Sequence, residues 1–325
     1  MKRRALILAT GAGAVLAAAG TNAQSPSPRR IGWLSSGPAE NAWSRVGTVA
    51  FLAMLKELGY AEGRDFVFES RWANNKVEDL PRLARELLAL KPAIVFAESS
   101  PVLAVLQKET ASVPLLFASI GEPVEQGFIT SLSRPGGNIT GITWRFELMR
   151  KLAELIREAL PQAHRVSLLE DERLPVSKRV SMRYGEAASA IGYKLNVVKA
   201  KGPDDLVRAF AQVVAMNTQA LILPPQFVGV AGQLAELAVK ARLPTFGNFR
   251  EFADSGALVV NYSDRKEAHQ RAAVMAVKIL KGARPADMPV EEPERMYVIV
   301  NQRTARALGI KIPQSVLVRA DEVIE

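Results

Sequence analysis

Two histidines and no cysteine limit the catalytic chemistry available to this chain of 325 residues. Without cysteine there are no disulfides, thiol nucleophiles or thiolate metal sites. His164 lies in the link between ELIREALP and RVSLLED, a surface setting. His269 sits in DRKEAHQRAAVMAVKILKG, at the head of a stripe running through Ala273, Ala276 and Leu280. No second ligand accompanies it at helical spacing, and no HExxH motif occurs, so zinc chemistry has no support. There is no G-x-S-x-G elbow to expose a hydrolase serine. Glu170, Asp171 and Glu172 are adjacent acids, but a charged loop needs no catalytic role. The stretch SRPGGNITG (133–141) has the glycines of a phosphate loop but no lysine after Gly141, and it lacks the G-x-G-x-x-G spacing. Gly11-Ala12-Gly13 resembles the start of a dinucleotide fingerprint, yet the first acidic residue after it is Glu40. The expectation is a chain with no catalytic residue, metal or cofactor.

Polar residues at the ends of apolar runs fit binding better. Ser35 and Ser36 close IGWLSS. Ser99-Ser100-Pro101 follows AIVFAE and opens a helix, with Pro101 suited to the first turn. Such a helix start is either a plain cap or a seat for a carboxylate. Ser119 ends PLLFAS, and Glu122, three residues later, is a candidate partner for an ammonium group. Trp144, Phe227, Asn248 and Tyr262 lie at or after later strand ends, where aromatic faces and amides serve either a ligand or the core.

The elements that would position these residues alternate. Apolar runs at 31–36, 93–98, 114–119, 165–171, 194–198, 220–223, 244–249 and 257–262 read as strands. Amphipathic segments separate them. Trp43, Val46, Ala50, Met54 and Leu58 form one stripe; Leu80, Leu83, Leu87 and Leu90 form another. Alternating strand and helix implies parallel sheets covered on both faces. Residues 91–127 and 218–256 echo each other: strand, loop, helix, then Val-Pro or Leu-Pro opening a second strand. Two lobes on one plan follow, with their strand-end loops facing a shared cleft. The turn signal Pro135-Gly136-Gly137 and the strand-like NITGIT fall between the echoed halves and read as a hinge.

The N-terminus reads as an export signal: MKRR, an apolar centre, then Thr21-Asn22-Ala23 as a cleavage site. Arg3-Arg4 leaves the Sec and twin-arginine routes both open. Residues 1–23 carry three basic residues and no acid, so their loss lowers the formal net charge from +9 to +6. The remaining basic residues are interspersed with acids and no basic tract is interleaved with aromatics, which argues against nucleic-acid binding.

Two long blocks, IGEPVEQGFITSLSRPGGNITGIT (120–143) and KILKGARPADMPVEEPERMYVIVNQRTARALGIKIPQSVLVRADEVIE (278–325), resemble the bacterial ABC-transporter substrate-binding family related to tryptophan- and tyrosine-binding proteins. The resemblance runs from Ile31 to Glu325. It implies a type I periplasmic binding protein: an α/β protein of two Rossmann-like lobes with parallel sheets joined by a three-segment hinge. The expected division is residues 29–141 and 263–296 in lobe 1, and 142–262 and 297–325 in lobe 2, with crossovers near 140–144, 260–264 and 294–298. It implies a periplasmic monomer that captures a small organic solute, an amino acid or aromatic carboxylate, for an inner-membrane ABC permease. Family loops often carry Gly-Asp-Pro where this chain has Gly121-Glu122-Pro123. Two alternatives remain open from the sequence: a ligand-sensing subunit for a signalling receptor, and a small-molecule-modifying enzyme on the same scaffold.

Overall fold

The computed structural model describes residues 27–40, 42–144, 147–173, 175–293 and 295–325. The export signal assigned to residues 1–23 lies outside the described residues. The chain builds two sheets. The first takes β1 (Arg29–Ser35), β2 (Phe66–Trp72), β3 (Ile94–Ala97), β4 (Leu115–Gly121) and β5 (Ile139–Trp144) in the order β2-β1-β3-β4-β5, all parallel. Between these strands run α1 (Ala42–Glu57), α2 (Leu80–Ala89) and α3 (Ser100–Glu109).

Side chains alternate across this sheet because successive strand residues point to opposite faces. Ile31, Trp33, Phe96 and Leu116 pack on one face, and Leu34, Val95, Ala97 and Phe117 on the other. Leu80, Leu83 and Leu87 of α2 join the second face, as their spacing predicts. The α1 stripe differs from expectation. Val46 and Leu58 are exposed, and the inward face carries Gly47, Ala50, Phe51 and Leu55. A glycine, invisible to an apolar count, marks the side where another helix approaches.

The second sheet begins after α4 (Glu147–Ala159). It contains β6 (Arg165–Asp171), β7 (Lys194–Ala200), β8 (Ala220–Leu223), β9 (Thr245–Gly247) and β10 (Val259–Tyr262), with α5 (Pro175–Ala190), α6 (Leu206–Ala215), α7 (Ala231–Lys240) and α8 (Arg250–Ser255) between them. The chain then returns to the first sheet with α9 (Arg265–Leu280), whose Ala272, Ala273 and Ala276 pack among Trp33, Phe51 and Phe96. It returns again to the second with β11 (Tyr297–Asn301), α10 (Gln302–Leu308), α11 (Gln314–Val318) and β12 (Glu322–Ile324). The full order is β12-β11-β10-β9-β8-β6-β7; β11 runs antiparallel to β10 and the other pairings are parallel.

Three passages therefore link the lobes: after Trp144, after Tyr262 and before Tyr297. The glycines of SRPGGNITG do not form the first. Gly136 and Gly137 have φ of 69° and 68° and make the turn that enters β5. Gly141 lies within β5, where a Cβ would come 2.2 Å from the Phe117 carbonyl oxygen of β4. Glycine serves a turn and a close strand approach here, and the crossing comes only at the far end of the strand.

Candidate functional site

The carboxyl ends of the parallel strands in both sheets, together with the crossovers, surround one cleft. At its floor a pocket encloses about 20 Å³, roughly the space of one water molecule. Its walls come from both halves: Trp144, Ser263 and Pro293 from the crossovers, Arg265 and Ala268 from α9, and Tyr184, Asn248 and Phe249 from the second lobe.

Asn248, expected at a strand end, is buried in a polar network. Its amide nitrogen donates to the Leu148 carbonyl at 3.2 Å and to the Asn261 side-chain oxygen at 2.5 Å. The Tyr184 hydroxyl donates to the Asn248 side-chain oxygen. Burial raises the Tyr184 pKa and keeps it a donor. Asn261 also donates to the Leu148 carbonyl, at 2.9 Å. Buried amides need this saturation, and it fixes one wall rigidly.

Arg265 is the charged group at the floor. It is the first residue of α9, after Asp264, whose carboxylate caps the helix by accepting from the Lys266 and Glu267 amides. Its guanidinium donates to Glu98, at the end of β3, at 3.1 Å, with both side chains almost fully buried. Glu251 of the other lobe also acts on it. Burial lowers the Arg265 pKa to about 10, and Glu98 and Glu251 oppose that shift. Burial raises the Glu251 pKa, against the pull of Arg265. Behind this group lies His269, buried, its Nδ1 2.8 Å from the Arg265 carbonyl. Burial first, then the Arg265 charge, lower its pKa to about 3. His269 is a neutral strut against Trp33 and Phe96. Among the described residues no group of three or more His, Cys, Asp or Glu side chains could hold a metal ion.

The expected site residues separate into groups. Ser36 and Ser99 come together, with hydroxyl oxygens 3.3 Å apart. Ser99 occupies the N-cap position of α3 but makes no side-chain capping bond. Ser35 is fully buried, and its hydroxyl accepts from the Gly37 amide at 3.1 Å. Ser100 opens α3 half-buried, and the Ser119 side chain lies outside the described ones. Trp144 lines the pocket and packs on the second lobe's core. Glu122, with φ of 48°, is held by an ion pair to Arg183 of α5, Oε1 to Nε 2.6 Å. Two aromatic expectations are corrected. Phe227 is 1% exposed and packs with Leu206, Phe210 and Leu234, so its ring belongs to the core. Tyr262 packs on Tyr297 and accepts from Arg250 at 3.3 Å, away from the pocket lining.

Sequence reasoning missed Arg265, Tyr184 and Arg183. Arg265 had a signal: Ser263-Asp264 followed by Glu267 is a helix-start pattern directly after an apolar strand, and it places the next residue at a strand end. The other two face the cleft only because of how α5 packs.

The family described as ABC transporter substrate binding protein matches residues 45–324. A tyrosine-binding protein of Clostridioides difficile (strain R20291) is 22% identical over 263 residues, covering 80% of this chain and 76% of the relative. A Streptococcus pneumonia ABC domain solved in complex with L-Trp superposes with a TM-score of 0.85 at 22% identity, covering 92% of this chain and 100% of that one. The ligand-free, open structure of a Clostridium difficile substrate binding protein with adhesive properties gives 0.67 at 22% identity, covering 91% and 99%. This chain belongs to the ABC transporter substrate binding protein family and has the two-lobed fold of type I periplasmic binding proteins.

Proposed function

We propose that this chain is an exported receptor that closes two lobes around a small organic solute and hands it to an ABC permease of the inner membrane. The observation that carries the reading is a pocket walled by both lobes and by the crossovers. Solute contacts to both lobes favour the closed state, whereas a solute touching one lobe would leave the equilibrium unmoved. The relatives' ligands, tyrosine and L-Trp, favour an amino-acid-like solute, and Trp144 and Phe249 supply aromatic surface for one. Among the described residues no helix is long and apolar enough to cross a membrane.

The test is a thermal-shift and native-mass screen of residues 24–325 against amino acids and aromatic carboxylates. A solute at about 100 times its dissociation constant stabilises by roughly 2.7 kcal/mol, a readily seen rise in Tm. The solute should be recovered unchanged, and its chemical conversion would favour an enzyme. No shift with any member of either class would count against the reading.

A further inference from the structure

Glu122 belongs to the loop after β4, on the first lobe, and Arg183 to α5, on the second. Their side chains meet at 2.6 Å with 15% and 30% exposure. The Glu122 backbone has a left-handed φ of 48°, uncommon for a residue with a side chain. The loop is wound tightly around it: the Gln126 amide donates to the Glu122 carbonyl at 3.0 Å, and the Gln126 side chain donates to the Gly121 carbonyl at 2.5 Å. The carboxylate is thus presented toward the opposite lobe. There α5 offers Arg183 and, one turn earlier, Arg179, both acting on Glu122, with Glu186 sharing Arg183 at 2.9 Å. Glu125 of the same loop acts on it with the opposite sign.

Resting on the reading of two lobes that open and close, we propose that Glu122 and Arg183 are a closure pair: Arg183 offsets the cost of burying Glu122 when the lobes meet. Glu122 is then a sensor of the opposite lobe, and a solute ammonium group is held elsewhere. A carboxylate buried without its cation is costly, whereas a neutral side chain of the same shape is not.

The chain has no native cysteine, so two introduced ones are unique labelling sites. Glu57→Cys on α1 and Lys240→Cys on α7 are exposed positions, one on each lobe. Spin-label distances in the ligand-free mature protein give the closed-to-open ratio. Arg183→Met should lower that ratio about fivefold, the scale of a half-exposed ion pair. Adding Glu122→Gln to Arg183→Met should restore most of it, because the stranded charge is gone. An unchanged ratio in Arg183→Met, or a double variant no more closed than the single, overturns the closure pair while leaving the receptor reading intact. A wild-type chain with one fixed distance, with or without any solute found in the screen, overturns both.

Discussion

The hydroxyl oxygens of Ser36 and Ser99 lie 3.3 Å apart although 63 residues separate them. Parallel pairing of β1 with β3 brings the two strand ends side by side. Ser99 makes no side-chain capping bond, so its hydroxyl faces Ser36 rather than holding α3.

Replacing both serines with alanine is therefore expected to alter stability by less than about 0.5 kcal/mol. Solute affinity should fall about tenfold, as when a ligand loses one or two hydrogen bonds. Urea unfolding and calorimetric titration with a screened solute measure the two effects. Unchanged affinity would remove the pair from the site.

Gly47 sets the approach of α1 to α9. A Cβ there would lie 2.5 Å from Nε2 of His269 and 3.0 Å from Nη2 of Arg265. Gly47→Ala is expected to destabilise by about 1–3 kcal/mol through overpacking, despite alanine's better helix propensity. Gly232→Ala in α7, with nothing within 4 Å, should stabilise by up to about 1 kcal/mol. Thermal unfolding of the two variants should move in opposite directions.

His269 predicts a pH slope. Its pKa of about 3 in the fold lies below the unfolded value near 6.5, so unfolding takes up a proton between them. Stability is fully present above about pH 6.5 and declines as pH falls toward 3, by at most about 1.4 kcal/mol per unit from this group. In His269→Phe this contribution to the slope should vanish. Urea midpoints at pH 7, 6, 5 and 4 give the comparison.

Acid should favour closure at Glu122. Burial raises its pKa above the ordinary glutamate value, with Arg183 opposing, whereas an open cleft exposes the carboxyl to water. The closed form then holds the proton more tightly, and lowering pH from 7 toward 5 shifts the labelled pair toward the shorter distance. Glu122→Gln should lack this response. A wild-type shift toward the longer distance would contradict the sign.

Most of the architecture was legible in periodicity. The apolar runs at 31–36, 165–171 and 220–223 became β1, β6 and β8 nearly residue for residue. β2 escaped because FVFESRW mixes Glu69 and Arg71 into an edge strand that is mostly only half-buried. The glycine-rich stretch misled because turn glycines and hinge glycines look alike in sequence, and only pairing of β5 along its whole length with β4 separates them. At the site, serines and Asn248 were visible as polar strand ends. Phe227 stayed open between ligand and core because a strand-end aromatic looks the same in sequence whether it turns inward or outward, and it packs inward. Tyr184 and Arg183 belong to a helix whose cleft-facing side is set by packing, which a single sequence does not display.

The return of α9 to the first sheet constrains the order of events in biogenesis. Trp33, Phe51 and Phe96 find their cover on Ala272, Ala273 and Ala276, more than 160 residues downstream of the last of them. A partly emerged polypeptide therefore leaves the α9-facing side of this aromatic cluster uncovered until most of its length is made, and contacts so distant in sequence form slowly. The amino-terminal half cannot complete its core before α9 has been made.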